Sequence, residues 1–187
     1  MIRHTFSRNM RILFVGINPH YGSFSRGIPF SNNKMFWYLL NRSGAINEKE
    51  DDLKDDTKLR RIYLRKFSRV YNYGFMNIID RPTRVVTELK KGEESNGRKK
   101  IIRAIDKFRP RIVCFIGKIT YEKFKGSKDF DFGWQPDVLS SKAYVMHFPI
   151  RGKASIRVRD LRVMMSSDGD SPNRLPPDRS NGRNLYT

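Results

Sequence analysis

The chain has 187 residues, of which 38% are apolar and 12% aromatic, and this suits one domain with a single core and a modest tail. Its 38 Lys and Arg against 19 Asp and Glu give a formal charge of +19, which favours a polyanionic partner, nucleic acid first. The single Cys excludes an internal disulfide and a Cys-based metal site, and no stretch approaches the roughly 20 apolar residues of a membrane helix.

The distribution of charge and the cysteine count indicate what kind of partner the protein has and where in the cell it works. Residues 167–187 hold three Arg and three Asp, so the positive excess belongs to the rest of the chain. A generally basic surface that only aids solubility is the alternative to nucleic-acid binding. A lone Cys and no signal-peptide pattern favour a reducing, cytoplasmic and nucleoid-associated location, with no membrane partner. Three scattered His make no metal-ligand spacing, so we expect no metal.

The first predicted strand covers residues 12–15 and ends at Gly16 in a tight polar turn. Asn18 and Pro19 form that turn, and an Asn-Pro pair commonly has only a structural role. The functional alternative is that the Asn18 amide holds a water or a substrate carbonyl through its donor and its acceptor. An amide is too weak a base to deprotonate water, so such a reaction requires a cationic transition state.

A loop with one aromatic ring follows, and then a predicted helix over residues 33–41, with Ser31 or Asn32 as its cap. The Phe30 ring either closes the loop onto the core or offers a surface on which a base stacks. Gly22 and Gly27 allow backbone N–H groups to approach a ligand closely. These groups would stabilise a base that departs as an anion.

The rest of the chain alternates between helices and strands. Residues 46–56 read as a charged loop, and Thr57 as the cap of a helix whose apolar face holds Leu59, Ile62, Tyr63, Phe67 and Val70. Further strands are predicted at residues 74–79, 111–116 and 143–147, and further helices at residues 98–108, from 117 and at 155–165. Residues 90–97 read as a polar connection, and residues 125–142 as irregular, with room for a hairpin.

This alternation predicts an α/β fold, a three-layer α/β/α sandwich around a mainly parallel sheet of about four strands. In such sheets the site lies past the carboxyl ends of the strands, here residues 16–30, 78–83, 117–118 and 147–153. The domain is expected to cover residues 1–166. Residues 167–187 are too polar to bury a core and are expected to be disordered.

The segment after the last predicted core strand is a basic loop that leads into a helix. A DNA phosphate can be held there by Arg151, Lys153 and the helix N-terminus, with Gly152 allowing a close approach and Ser155 adding a hydroxyl. An ordinary basic loop is the alternative. His147 can bind a phosphate, although a histidine at a strand end often has only a structural hydrogen bond.

Several of these segments, in this order, match a known family. They are Gly16-Ile-Asn-Pro19, Gly27-Ile-Pro-Phe30 with Phe36-Trp37, Asp80-Arg-Pro-Thr83, Gly97-Arg-Lys99, and residues 110–118 with 121–122. The chain resembles the mismatch-specific uracil/thymine DNA glycosylases of the uracil-DNA glycosylase superfamily. The resemblance implies that Asn18 positions the attacking water and that Phe30 stacks on a flipped base. Gly16, Ile17, Pro19 and His20 would then line the base pocket.

Two positions depart from the pattern of that family. His20 stands where the family has Gly, so a side chain there narrows the pocket or adds a contact to the substrate. Phe148-Pro-Ile-Arg-Gly-Lys153 stands where the family has an Asn-Pro-Ser run followed by the residues that wedge into the duplex. The wedge position then falls near Arg151, Gly152 or Lys153.

The resemblance implies an enzyme that flips uracil, and also thymine or damaged pyrimidines, out of G mispairs in duplex DNA. It would hydrolyse the N-glycosidic bond as a monomer, without metal or organic cofactor, and begin base excision repair. Two alternatives stay open at this point. One is a non-catalytic module that binds mispairs or abasic sites, and the other is an enzyme that acts on free nucleosides or RNA.

Overall fold

Five short strands form the central sheet of the protein, whose computed structural model describes residues 1–167. Their order across the sheet is β2-β1-β3-β5-β4. The bounds are β1 Ile12–Gly16, β2 Tyr73–Asn77, β3 Ile112–Ile116, β4 Gly133–Val138 and β5 Ser141–Met146. All but β4 run parallel, and β4 pairs antiparallel with β5.

The predicted sandwich is therefore confirmed, with a fifth strand in place of about four. The strand β4 was missed because its side chains do not alternate cleanly between apolar and polar. It is an edge strand held by backbone pairing to β5, and its pairing is irregular between Gln135 and Val138. Residues 125–142, expected to be irregular with room for a hairpin, contain β4 and its turn, while the partner strand β5 extends to Met146 and corresponds to the strand predicted at residues 143–147.

Helices cover both faces of the sheet. They are α1 Tyr21–Arg26, α2 Met35–Ser43, α3 Glu50–Lys54, α4 Asp56–Arg61, α5 Glu94–Phe108, α6 Lys118–Lys125 and α7 Ala154–Ser167. A π-helical turn, Ile62–Lys66, continues α4, and a 3₁₀ turn covers Val86–Glu88. None of the helices within residues 1–167 is long and apolar enough to cross a bilayer.

Alternate residues of the buried strands feed two separate cores, as the period of two requires. Phe14 packs with α2, α4 and α7 through side chains such as Phe36, Leu59 and Leu161. Its neighbours Leu13 and Val15 point to the other face, where they meet the apolar sides of α5 and α6. Because β1 is covered on both faces, its sequence is continuously apolar.

Several predicted element boundaries are wrong. The charged loop contains α3, and α4 is capped by Asp55, whose carboxylate accepts from the Lys58 N–H at 2.8 Å, and not by Thr57. Val70 is 66% exposed and lies outside the core. The cap predicted for α2 at Ser31 or Asn32 is also wrong, since Asn33 Oδ1 accepts from Met35 N. These ends depend on single hydrogen bonds, which periodicity does not report.

Two further differences concern α5 and the tail. Helix α5 begins at Glu94 and not at residue 98, so it absorbs half of the predicted polar connection. Gly97 lies in that extra turn, against the backbone of Ile78, where a Cβ atom would collide. Ser167 closes α7, and the remainder of the tail for which disorder is predicted lies outside the described residues.

Candidate functional site

The loops that follow β1, β2, β3 and β5 meet at one edge of the sheet because these strands are parallel and adjacent. The loop after β1 carries Asn18, and the segment after β2 runs beside it. His20 and Thr83 form a parallel bridge, and the Thr83 N–H donates to Pro19 O at 3.1 Å. The chain thus extends the β1–β2 pairing beyond the sheet and holds Asn18 between two backbone segments.

The Asn18 amide is fixed in one orientation by its partners. Its Nδ2 donates to Thr83 Oγ1 at 2.8 Å, to Pro19 O at 3.2 Å and to Arg81 O at 3.4 Å. Carbonyl oxygens only accept, and the Thr83 hydroxyl donates onward to Val85 O at 2.9 Å, so the amide nitrogen must face this group. Within residues 1–167, Oδ1 of Asn18 takes part in no hydrogen bond. The amide therefore presents an oriented acceptor.

The segment that carries Thr83 is anchored by ion pairs at its start. Asp80 meets the His4 Nε2 at 3.0 Å and the Lys100 ammonium at 2.7 Å. Burial raises the pKa of Asp80, but the hydrogen bonds from His4 and Lys100 outweigh it and lower the pKa from 3.8 to about 2. The next residue, Arg81, pairs with Glu93 at 2.9 Å. These contacts hold in place the residues that immediately precede Thr83, the partner of Asn18.

His20 has a structural role that its sequence did not reveal. Its Nδ1 accepts from the Gly22 N–H at 3.1 Å and caps α1. Nδ1 is therefore unprotonated in this arrangement, and the ring proton lies on Nε2. The exposed ring borders a surface depression of about 520 Å³ that is also lined by Tyr21, Arg84 and Glu88. This depression opens directly beside the Asn18 turn.

Gly16 and Asn77 are paired across β1 and β2, and the pair forms a part of the site that the sequence analysis missed. A Cβ atom on Gly16 would lie 2.6 Å from Asn77 Oδ1 and 3.4 Å from the Phe75 ring. Asn77 is only 3% exposed, and its side chain makes no hydrogen bond within residues 1–167. The Asn77 amide atoms are not among the fully enclosed side-chain atoms of the described residues that lack a partner, so the amide keeps access to solvent or to a ligand. Its only sequence signal is a polar residue that ends a buried strand.

Phe30 follows buried Pro29 and has its backbone in the left-handed region, at φ 55°. Its half-buried ring contacts Phe36 at a centroid distance of 4.7 Å and Phe75 at 6.0 Å. Phe75 in turn lies against Gly16, so the aromatic face and the Asn18 turn share one end of the sheet. The ring packs on the core and keeps an exposed portion, and its role as a stacking surface for a base stays a prediction.

Phe148 is a second aromatic residue at this place that the sequence analysis did not assign to the site. Its ring is 38% exposed and stands edge to face with Phe30 at 6.4 Å. On its other side it lies over Gly117, where a Cβ atom would come within 3.3 Å. Phe148 thus places a second, partly exposed ring next to Phe30 at this end of the sheet.

The predicted DNA-binding residues divide into two groups. Arg151, Gly152, Lys153 and Ser155 are all exposed and lie together in the turn and first residues of α7. His147 is instead held within the fold. Its Nδ1 lies 2.9 Å from Asp160 Oδ2, which also accepts from the His147 backbone N–H at 2.8 Å, and its ring stacks on Phe132.

Arg157 lies beneath the exposed turn and is only 4% exposed. Its Nη2 donates to Gly152 O at 2.7 Å, whereas Nε and Nη1 are buried without a partner. The nearby carboxylate of Asp160 already serves His147 and the Tyr144 hydroxyl. Burial of a guanidinium with one hydrogen bond is unfavourable for stability. That one hydrogen bond joins α7 to the turn at Gly152.

The other predicted pocket residues make their hydrogen bonds through backbone atoms. Ile17 O accepts from the Ile79 N–H at 2.9 Å, and Pro19 is buried. Within the described part of the chain, no three His, Cys, Asp or Glu side chains lie close enough to hold a metal ion.

These features match a known class of protein. Residues 4–166 fit the sequence model of the uracil DNA glycosylase superfamily, and the chain belongs to that superfamily. It is thus a DNA glycosylase, a hydrolase of DNA repair that acts on uracil-like lesions. The match covers the sheet, its helices and every site residue discussed above.

Proposed function

We propose that this protein removes uracil from G mispairs in duplex DNA, with thymine and damaged pyrimidines as further substrates, and that it works as a cytoplasmic monomer without cofactor. The observation that carries the proposal is the locked amide of Asn18, whose nitrogen is held by Thr83 while Oδ1 stays open. An oriented acceptor of this kind can hold one water beside a sugar carbon.

The reaction is a hydrolysis with a weak nucleophile. The C1′–N1 bond breaks first, the base leaves with the electron pair, and the sugar becomes oxocarbenium-like. Water held at Asn18 Oδ1 then adds to C1′ and releases a proton to solvent, which leaves an abasic site. Because the sugar carries positive charge in the transition state, the water need not be deprotonated beforehand.

The flipped base is recognised by Asn77, the buried residue that pairs with Gly16 across β1 and β2. The amide of Asn77 offers one acceptor and two donors, which suits the N3–H and a carbonyl of uracil. Phe30 supports the face of the base, and stacking of this kind contributes about 1–3 kcal/mol. Departure of the base as an anion is aided by backbone N–H groups of the Ile17 and Phe30 segments.

The duplex is held by the turn before α7. Arg151, Lys153 and Ser155 contact phosphates, while Gly152, His147 and the buried Arg157 shape the turn. Ile150 is 46% exposed and stands at the tip between buried Pro149 and Arg151. An exposed apolar side chain among cations suits the gap left by a flipped base, so we assign the wedge to Ile150 in place of the positions 151–153.

The central test uses a labelled duplex with one uracil opposite guanine, followed by alkaline cleavage of abasic sites. Asn18→Ala should lower the single-turnover rate about a hundredfold or more and leave DNA affinity nearly unchanged, since the amide acts in the transition state. Asn96→Ala, an exposed amide on α5, is the matched control and should retain full activity. If Asn18→Ala excises uracil as fast as the unaltered protein, the proposal is wrong.

The substrate is tested by replacing the target and its opposite base. A preference for mispairs predicts faster excision from U:G than from U:A duplexes, and slower excision of thymine from T:G. Phe30→Ala should weaken both binding and rate. Equal rates on U:G, U:A and single-stranded DNA would contradict the mispair preference but not the glycosylase assignment.

A non-catalytic mispair or abasic-site binder is the second candidate, because Phe148 occupies the space beside Phe30. Such a module would bind the U:G duplex tightly, release no base, and show the same affinity with Asn18→Ala. Turnover by the unaltered protein excludes it.

A further inference from the structure

We propose that the outer edge of the sheet carries a second DNA contact, a surface that binds single-stranded DNA next to the lesion. We call it the β4 surface, and it consists of Phe132, Trp134, Lys142 and Arg159. The choice of DNA as its ligand rests on the proposed function. The surface itself is identified by its exposed aromatic rings and by cations that make no ion pair within residues 1–167.

Two large aromatic side chains are exposed at this edge. Trp134 is 41% exposed and Phe132 is 38% exposed, although each is anchored at one side. Trp134 stands edge to face with Tyr144 at 5.0 Å, and Phe132 stacks on His147 at 3.6 Å. Because each ring is anchored by a neighbouring ring, the exposed portions of Trp134 and Phe132 form a rigid surface on which bases can stack.

Cations surround these rings on the same face of the sheet. Trp134 is the register partner of Tyr144, and Lys142 lies two residues before Tyr144, so all three side chains share a face. Helix α7 packs on that face, where its Asp160 accepts from the Tyr144 hydroxyl at 3.0 Å, and the exposed Arg159 is the preceding residue of the helix. Neither Lys142 nor Arg159 makes an ion pair within residues 1–167.

The acidic groups nearby do not cancel this charge. Asp160 is buried and bonded to Tyr144 and His147, and Asp131 pairs with Lys118 at 3.2 Å. The Lys118 ammonium also lies 5.0 Å from the centre of the Phe132 ring. Asp137 is the one exposed carboxylate within β4 itself. Exposed rings beside free cations are the combination by which proteins bind single strands.

The β4 surface is continuous with the site. The strand β4 is antiparallel to β5, so its first residues lie at the carboxyl end of β5, the edge that also carries Asn18. It is three strands away from β1, or about 14 Å at the usual spacing between strands. That span equals about four nucleotides at the 3.4 Å rise of a stacked strand.

A single strand is favoured over a duplex because a base must expose its face to stack on a ring. In a duplex the faces are covered by neighbouring base pairs, whereas unpaired nucleotides beside a flipped base have faces free. We infer that the β4 surface holds unpaired nucleotides of the lesion strand or of a single-stranded substrate.

The experiment exploits the placement of the two tryptophans. Trp37 is fully buried and donates to Pro29 O at 2.8 Å, so Trp134 is the one that ligands can quench. Oligodeoxythymidylate without uracil should quench the fluorescence of the full chain, and Trp134→Ala should remove the quenching and weaken binding about tenfold. Lys142→Gln should weaken binding less, and Val70→Ala, which is an exposed apolar residue elsewhere, should have no effect.

Three results would overturn the proposal. The first is absence of quenching by the oligonucleotide. The second is equal quenching by polyphosphate, which has no bases. The third is unchanged affinity of Trp134→Ala for the oligonucleotide. Trp134→Leu serves if the alanine variant does not fold. Since the probe contains no uracil, the result is independent of catalysis. Excision from a U:G duplex by Trp134→Ala should persist, so failure here and failure of the proposed function are separable.

Discussion

The amide nitrogen of Asn18 donates to the hydroxyl oxygen of Thr83 at 2.8 Å, across 65 positions of sequence. This contact turns an ordinary Asn-Pro turn into an oriented acceptor, because it determines which end of the amide faces the open side. The contact exists only because the segments after β1 and β2 pair beyond the sheet.

Thr83→Val therefore tests whether orientation of the amide matters. Valine keeps the shape of the buried side chain but offers no oxygen to Asn18. We expect the single-turnover rate on U:G duplex to fall about tenfold with DNA affinity unchanged, since roughly 1.4 kcal/mol of positioning is lost in the transition state. Thr83→Ser should restore most of the rate. Equal loss in the serine variant would point to packing and not to the hydrogen bond.

Gly16→Ala tests the close approach of the two strand ends. The new Cβ would lie 2.6 Å from Asn77 Oδ1, so the amide must move. We expect a loss of about 1–3 kcal/mol in the free energy of unfolding, as for other overpacked sites, together with weaker uracil excision. Chemical denaturation measures the first effect. In the double variant Gly16→Ala/Asn77→Ala the stability loss should be smaller than the sum, and simple additivity would refute the contact.

The ion pairs of Asp80 predict an acid-dependent stability. The folded pKa of about 2 lies below the ordinary 3.8, so Asp80 stabilises the fold above pH 4 and loses this contribution as the pH falls from about 4 to 2. The melting temperatures of the unaltered protein and Asp80→Asn should differ clearly at pH 5, where Asp80 is ionised. The difference should shrink below pH 4. A gap that persists at pH 2 would contradict the assignment.

Arg157→Met separates stability from function. Removal of a buried guanidinium that makes one hydrogen bond should leave the melting temperature unchanged or raise it, because an apolar side chain carries no desolvation cost. The turn at Gly152 should loosen, and hydrogen exchange of residues 148–153 should accelerate while affinity for duplex DNA falls. Arg162→Met, an exposed position about 1.4 turns further along the same helix, provides a control. A clear fall in melting temperature for Arg157→Met would refute this account.

Local patterns were sufficient for the frame of the molecule and for part of the site. The parallel strands were predictable because burial on both faces makes them continuously apolar, and Asn18 and Phe30 because they follow such a strand. The edge strand β4 was not, since its side chains face solvent and its pairing relies on backbone groups that are alike in every sequence.

The amino-acid sequence by itself determined the α/β class, the excess of positive charge, and the family motifs around Asn18, because these reside in composition, periodicity and short spacing. Tertiary structure alone decided that Thr83 orients Asn18, that Asn77 pairs with Gly16, that Phe148 contacts Phe30, and that Arg157 is buried. Each of these depends on the register between segments far apart in the chain, and register is set by the packing of the whole sheet.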